Sequence, residues 1–126
     1  MNGAVLENLL RRRQELSRLV DRNDPRLTRI VNGGKFDEYT FDENTPDDED
    51  WEGFGVNIGK NTHLKEMMIN LNRSTHVVEN FFSGFVLNRS IEKLRLIGCG
   101  GMEYDYFPLL VPFFRNNQAF ESLDVA

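Results

Sequence analysis

Residues 64–72, LKEMMINLN, residues 91–99, IEKLRLIGC, and residues 120–126, FESLDVA, align place for place on their apolar side chains. Places one, four and six carry Leu64, Met67 and Ile69 in the first stretch, Ile91, Leu94 and Leu96 in the second, and Phe120, Leu123 and Val125 in the third. Counting backwards from each start recovers a second matching set: Trp51, Phe54 and Ile58, then Val78, Phe81 and Phe85, then Phe107, Leu110 and Phe114. Their spacings of three and then four residues describe one face of a helix. An asparagine stands three residues before each strand start, as Asn61, Asn88 and Asn117. The unit is therefore helix, Asn-containing turn and short strand, recurring at intervals of 27 and 29 residues.

One such unit cannot bury both its strand face and its helix face, so neighbouring units must stack and share a continuous core. With Asn72 and Cys99 at place nine, the strand pattern resembles the leucine-rich repeat, and the unit length and helical half resemble its ribonuclease-inhibitor-like subclass, as a fragment or a short member. The resemblance implies an α/β solenoid, a partial horseshoe with parallel strands on the concave face and helices on the convex face. It also implies that the place-nine residue points inward and bonds the backbone of the turn leaving the strand. It covers residues 51 to 126 closely and 24 to 50 loosely. An earlier unit begins at Leu27 with Ile30, has Asn32 at its sixth place, and carries an insertion of about ten residues relative to the others. Pro108 suits the first turn of a helix, whereas Pro112 is expected to shorten or kink it.

A chain of 126 residues with 40% hydrophobic residues is one domain's worth, and it has no apolar run long enough for a bilayer. No membrane span is expected. The opening MNGAVLENLLRRRQELSRLV has arginines in its middle and acids at Glu7 and Glu15, unlike a secretory signal. Cys99 is the only cysteine, which excludes an internal disulfide and points to an intracellular, cytoplasmic setting. Sequons at Asn72 and Asn88 are therefore read as turn residues. A net charge of -5 argues against nucleic-acid binding, which requires clustered Lys and Arg.

Residues 1 to 23 are expected to form an amino-terminal helical cap, with Val5, Leu6, Leu9, Leu10, Leu16, Leu19 and Val20 forming an apolar stripe over residues 4 to 22. Residues 24 to 126 form the repeat domain. Within it, residues 33 to 50, GGKFDEYTFDENTPDDED, read as an acidic loop whose acids precede the Trp51 helix and favour its positive end. The domain is expected to be truncated at its last strand, leaving Phe120 to Val125 as an apolar edge open to self-association, or to the later units of a longer array.

No catalytic constellation is expected. His63, His76 and Cys99 lack an orienting group at equivalent registers, and their spacing does not make a zinc site. Gly98, Gly100 and Gly101 follow a strand without the Lys and Ser/Thr of a phosphate loop. No cofactor is implied. Binding suits a strand surface better, and the second, third and fifth places face outward. Their ladders are Thr28, Lys65, Glu92, Glu121; Arg29, Glu66, Lys93, Ser122; and Val31, Met68, Arg95, Asp124. Alternating charges allow Arg29 to pair with Glu66, and Lys65 with Glu92. Adaptable methionine beside arginine is a common contact chemistry. Val31, Lys65, Glu66, Met68, Lys93 and Arg95 are the expected contacts of a non-catalytic module that binds a protein partner. The alternatives are the opening segment of a longer repeat protein and, by resemblance alone, a GTPase-regulator-like role.

Overall fold

The computed structural model describes residues 3–30, 50–71, 74–97 and 107–125. Four helices, α1 (Gly3–Asp21), α2 (Trp51–Lys60), α3 (Thr75–Phe85) and α4 (Phe107–Asn116), alternate with four strands, β1 (Arg29–Ile30), β2 (Glu66–Asn70), β3 (Lys93–Ile97) and β4 (Ser122–Val125). The strands form one open sheet in the order β1-β2-β3-β4, and every pairing is parallel. Val31, Asn32, most of the acidic insertion, Asn72 and the Gly98 to Gly101 turn with Cys99 lie outside the described residues.

The strand register follows the apolar alignment. Arg29 pairs with Glu66, Glu66 with Lys93 and Lys93 with Ser122, so the third-place residues lie side by side. Ile30, Met67, Leu94 and Leu123 form the next row. Alternation along each strand then divides the sheet into two faces. Ile30, Met67, Ile69, Leu94 and Leu96 are fully buried beneath the helices, whereas Lys93 and Arg95 between them are exposed.

Three of the helices have a chemical reason to start or stop. Asp50 accepts a hydrogen bond from the Gly53 amide at 2.9 Å and caps α2, so the last acid of the insertion does sit at that helix's positive end. Ser74 caps α3 through the Val77 amide. Helix α1 ends at Asp21 and is followed by Asn23, whose φ of 52° is the left-handed conformation that asparagine tolerates just past a helix terminus. The Asn23 side chain then donates to Thr62 Oγ1 at 2.8 Å and accepts from the Thr62 amide at 2.9 Å, tying this corner to the α2–β2 turn. Leu16, Leu19 and Val20 bring the end of α1 into the common core.

The core runs as a file of aromatic rings behind the sheet. Phe81, Phe82 and Phe85 are buried on α3, and Phe85 stacks on Phe113 with centroids 5.1 Å apart. Helices α2 and α3 approach until their backbones touch. A side chain at Gly55 would collide with the Phe81 carbonyl, and one at Gly84 would lie 2.6 Å from the Val56 nitrogen.

Helix α4 departs from the expected face. Leu110 is buried, but Phe107 and Phe114 are exposed and Phe113 takes the inner position. Pro112 does not shorten the helix, which is as long as α2. Placing Phe113 inward lets it meet Phe85, while Phe114 folds over Phe120 at 5.3 Å.

Candidate functional site

Parallel sheets ordinarily have both faces covered, because the crossover helices divide between them. Here every described helix contributes to one core, and no described segment covers the opposite face of the sheet. A shallow depression of about 380 Å³ lies on it, lined by Arg29, Glu66, Met68, Lys93, Leu94, Arg95, Ser122 and Asp124.

Strand alternation puts these side chains there. Glu66, Met68, Lys93 and Arg95 occupy outward places of the two central strands, and Arg29, Ser122 and Asp124 supply the flanks. Arg29 Nε donates to Glu66 Oε2 at 2.7 Å, and Arg95 Nε lies 3.2 Å from Asp124 Oδ2. Both pairs are largely solvated, so each contributes at most about 1 kcal/mol, and their role is to fix the orientation of the two guanidinium groups. Lys93 forms no ion pair among the described residues. Three cations thus face two anions around half-buried Met68, with Lys93 as the uncompensated charge.

Of the six side chains expected from the sequence, Glu66, Met68, Lys93 and Arg95 converge. Val31 is outside the described residues. Lys65 does not join the group, because it precedes β2, where strand alternation has not begun. It lines a neighbouring depression with Lys60, Thr62, Arg89 and Ser90, and its amine is 3.8 Å from Glu92. Arg29, Ser122 and Asp124 belong to the depression but were not among the expected contacts. The signal was in the third- and fifth-place ladders, which already contained them.

A second constellation, beneath this surface, positions the strands. Asn61, Asn88 and Asn117 are all buried. Asn88 Oδ1 accepts from the Ser90 and Ile91 amides, both at 2.9 Å, while its amide donates back to Ile58 O at 2.8 Å and Asn61 O at 3.1 Å. Asn61 Oδ1 accepts from the His63 and Leu64 amides, and Asn117 accepts from Ala119 and donates to Ile91 O. Each asparagine thus closes its own turn, and the latter two also clasp the preceding one. Asp24 is the fourth member. It stands three residues before Leu27 and accepts from the Arg26 amide at 2.9 Å. Hydrogen bonds from the Arg26 side chain and backbone, with Arg22 alongside, hold its carboxyl well below the usual carboxylate range.

The histidines lie apart from the depression. His63 is half-buried in the α2–β2 turn, and exposed His76 meets Asn80 one helical turn away at 3.2 Å. Among the described residues no group of three or more His, Cys, Asp or Glu is arranged to hold a metal ion, and no helix is long and apolar enough to cross a membrane. In comparisons with known proteins, no family model matches the chain and no curated relative matches it.

Proposed function

We propose that the chain is a leucine-rich-repeat-like solenoid of the ribonuclease-inhibitor-like kind, and that it is a non-catalytic module recognising a protein partner through its open sheet face. The observation that carries this is a parallel sheet with one face that no described segment covers, where a half-buried methionine sits among oriented arginines and a lysine without an ion pair among the described residues. A preformed surface of that kind needs little ordering on binding, which favours affinity. Two further features support the repeat architecture: the row-by-row strand register and the asparagine that recurs before each of three strands. A single cysteine supports an intracellular setting.

The test replaces Met68 with a photo-crosslinking residue and, as a control, Glu79 on the exposed side of α3. The partner captured specifically at Met68 is identified and its affinity measured. Met68→Ala combined with Arg95→Ala is expected to weaken it at least about 10-fold, the loss of one modest contact. Unchanged affinity in the double variant would remove the sheet face from the interaction.

A further inference from the structure

The rim along which helices pass into strands carries a depression of its own. It has a volume of about 370 Å³ and lies over the α2–β2 and α3–β3 turns. Lys60, Lys65 and Arg89 line it, and its described lining includes no carboxylate. All three cations are exposed. Lys65 approaches Glu92 only to 3.8 Å, and neither Lys60 nor Arg89 forms an ion pair among the described residues. On the sheet face, by contrast, Glu66 and Asp124 each hold an arginine. Positive charge thus collects on this rim in a chain whose net charge is -5.

An apolar group stands among these cations. Leu87 is 63% exposed, more than any other large hydrophobic side chain among the described residues. Gly59 keeps the space beside it open: a Cβ there would collide with the Gly84 carbonyl and lie 3.6 Å from Leu87 Cβ. The two turns are tied together through the Asn61 carbonyl, which accepts from Asn88 Nδ2 at 3.1 Å and from the Ser90 hydroxyl at 3.2 Å. Helix α2 ends here, and the last carbonyls of a helix have no partner within it. The Ile58 carbonyl is taken by the Asn61 amide and by Asn88 Nδ2, but no backbone amide among the described residues reaches the Gly59 or Lys60 carbonyl. The depression therefore combines carbonyl acceptors, three cations and one apolar side chain.

A compact dianion such as phosphate suits that combination poorly, because α2 presents its negative end there. An extended peptide suits it well. Main-chain N–H groups can donate to the carbonyls, carboxylates can meet the cations, and an aliphatic side chain can cover Leu87. We propose that this rim depression is a docking site for an acidic segment of a partner protein, one in which an aliphatic residue is flanked by glutamates or aspartates. Lys60 and Arg89 supply the charge complementarity, and Leu87 supplies the apolar anchor. The site is separate from the sheet face and does not rest on the function proposed for it.

The probe is a short, end-capped, glutamate-rich peptide with one central leucine, titrated into the full chain and followed by backbone amide NMR. Saturable shifts are expected at Lys60, Thr62, Leu87 and Arg89, with Met68 and Arg95 unmoved. Lys60→Gln combined with Arg89→Gln should weaken binding at least about 10-fold, and Leu87→Ser at least about 3-fold. The substituted side chains are all exposed, so these variants are expected to keep the parent spectrum elsewhere. A peptide with glutamine in place of its leucine should bind at least about 3-fold more weakly than the original. Equal binding by the variants, equal binding of the two peptides, or no shift at millimolar peptide would overturn the proposal. So would shifts confined to Met68 and Arg95, or inorganic phosphate moving the rim amides at a lower concentration than the peptide does. A dimer in ultracentrifugation that Leu87→Ser dissociates would assign the depression to a second copy of the chain and overturn it as well.

Discussion

Asn88 donates to two carbonyls and accepts from two amides while fully buried, so each half of its carboxamide has a distinct duty. Asn88→Asp keeps the acceptor but turns an oxygen toward Ile58 O and Asn61 O. Denaturant unfolding should register a loss of about 3 kcal/mol or more, because a buried charge then faces acceptors. Asp24 offers the converse experiment. Its carboxyl titrates below its unfolded value, so the stability it confers is complete above the unfolded pKa near 4 and is lost as pH falls through the lower folded value. Asp24→Asn retains the turn acceptor and removes the titration, and its stability should therefore decline less than that of the parent between about pH 4 and pH 2. The positions of Asn61, Asn88 and Asn117 were legible in the sequence. Their role as clasps was not, because a spacing does not reveal which backbone groups a turn brings within reach. Asp24 was missed because its residue type differs, although its offset from Leu27 is the same.

Elements of this fold were readable to different depths. Strand places transferred directly, since a period of two leaves no freedom once one face is buried. Helix faces transferred for α2 and α3 but not for α4, where Phe113 turns inward to meet Phe85 and Phe114 remains half-open. Phe113→Ala should cost about 3–5 kcal/mol in unfolding free energy, and Phe114→Ala less than half of that. The approach of α2 to α3 was not legible at all. Glycines at 55, 59 and 84 are weak helix formers in a sequence, and only the placement of the two helices reveals that their missing side chains make room. Gly84→Ala, which improves local helix propensity, should nonetheless lower the thermal midpoint. The expected penalty is at least about 1–3 kcal/mol, because backbone rather than a movable side chain occupies the space.

At the scale of the molecule, the resemblance carried by the repeat implied parallel strands with helices between them, and four parallel strands in chain order are what the sheet contains. The outward face of the sheet was legible as ladders of residues, whereas the identity of the partner that the proposed function calls for was not, because recognition depends on a surface the chain does not encode. Lys93 gives the sharpest expectation there. Reversing it with Lys93→Glu changes the uncompensated charge from positive to negative next to Glu66, so partner association should slow and its dependence on salt should change sign or vanish, while the unfolding midpoint moves little.

The glycine contact between α2 and α3 also sets how closely two neighbouring layers stack. Strands in a sheet repeat about every 4.8 Å and packed helices about every 8–10 Å, the larger values belonging to helices with bulky side chains at the contact. Gly55, Gly59 and Gly84 remove three side chains from that contact and let the two backbones meet, whereas Phe85 and Phe113 fill the space between α3 and α4. Positions that carry no side chain thus govern the separation of the two helices that precede β2 and β3, the strands presenting Met68 and Arg95.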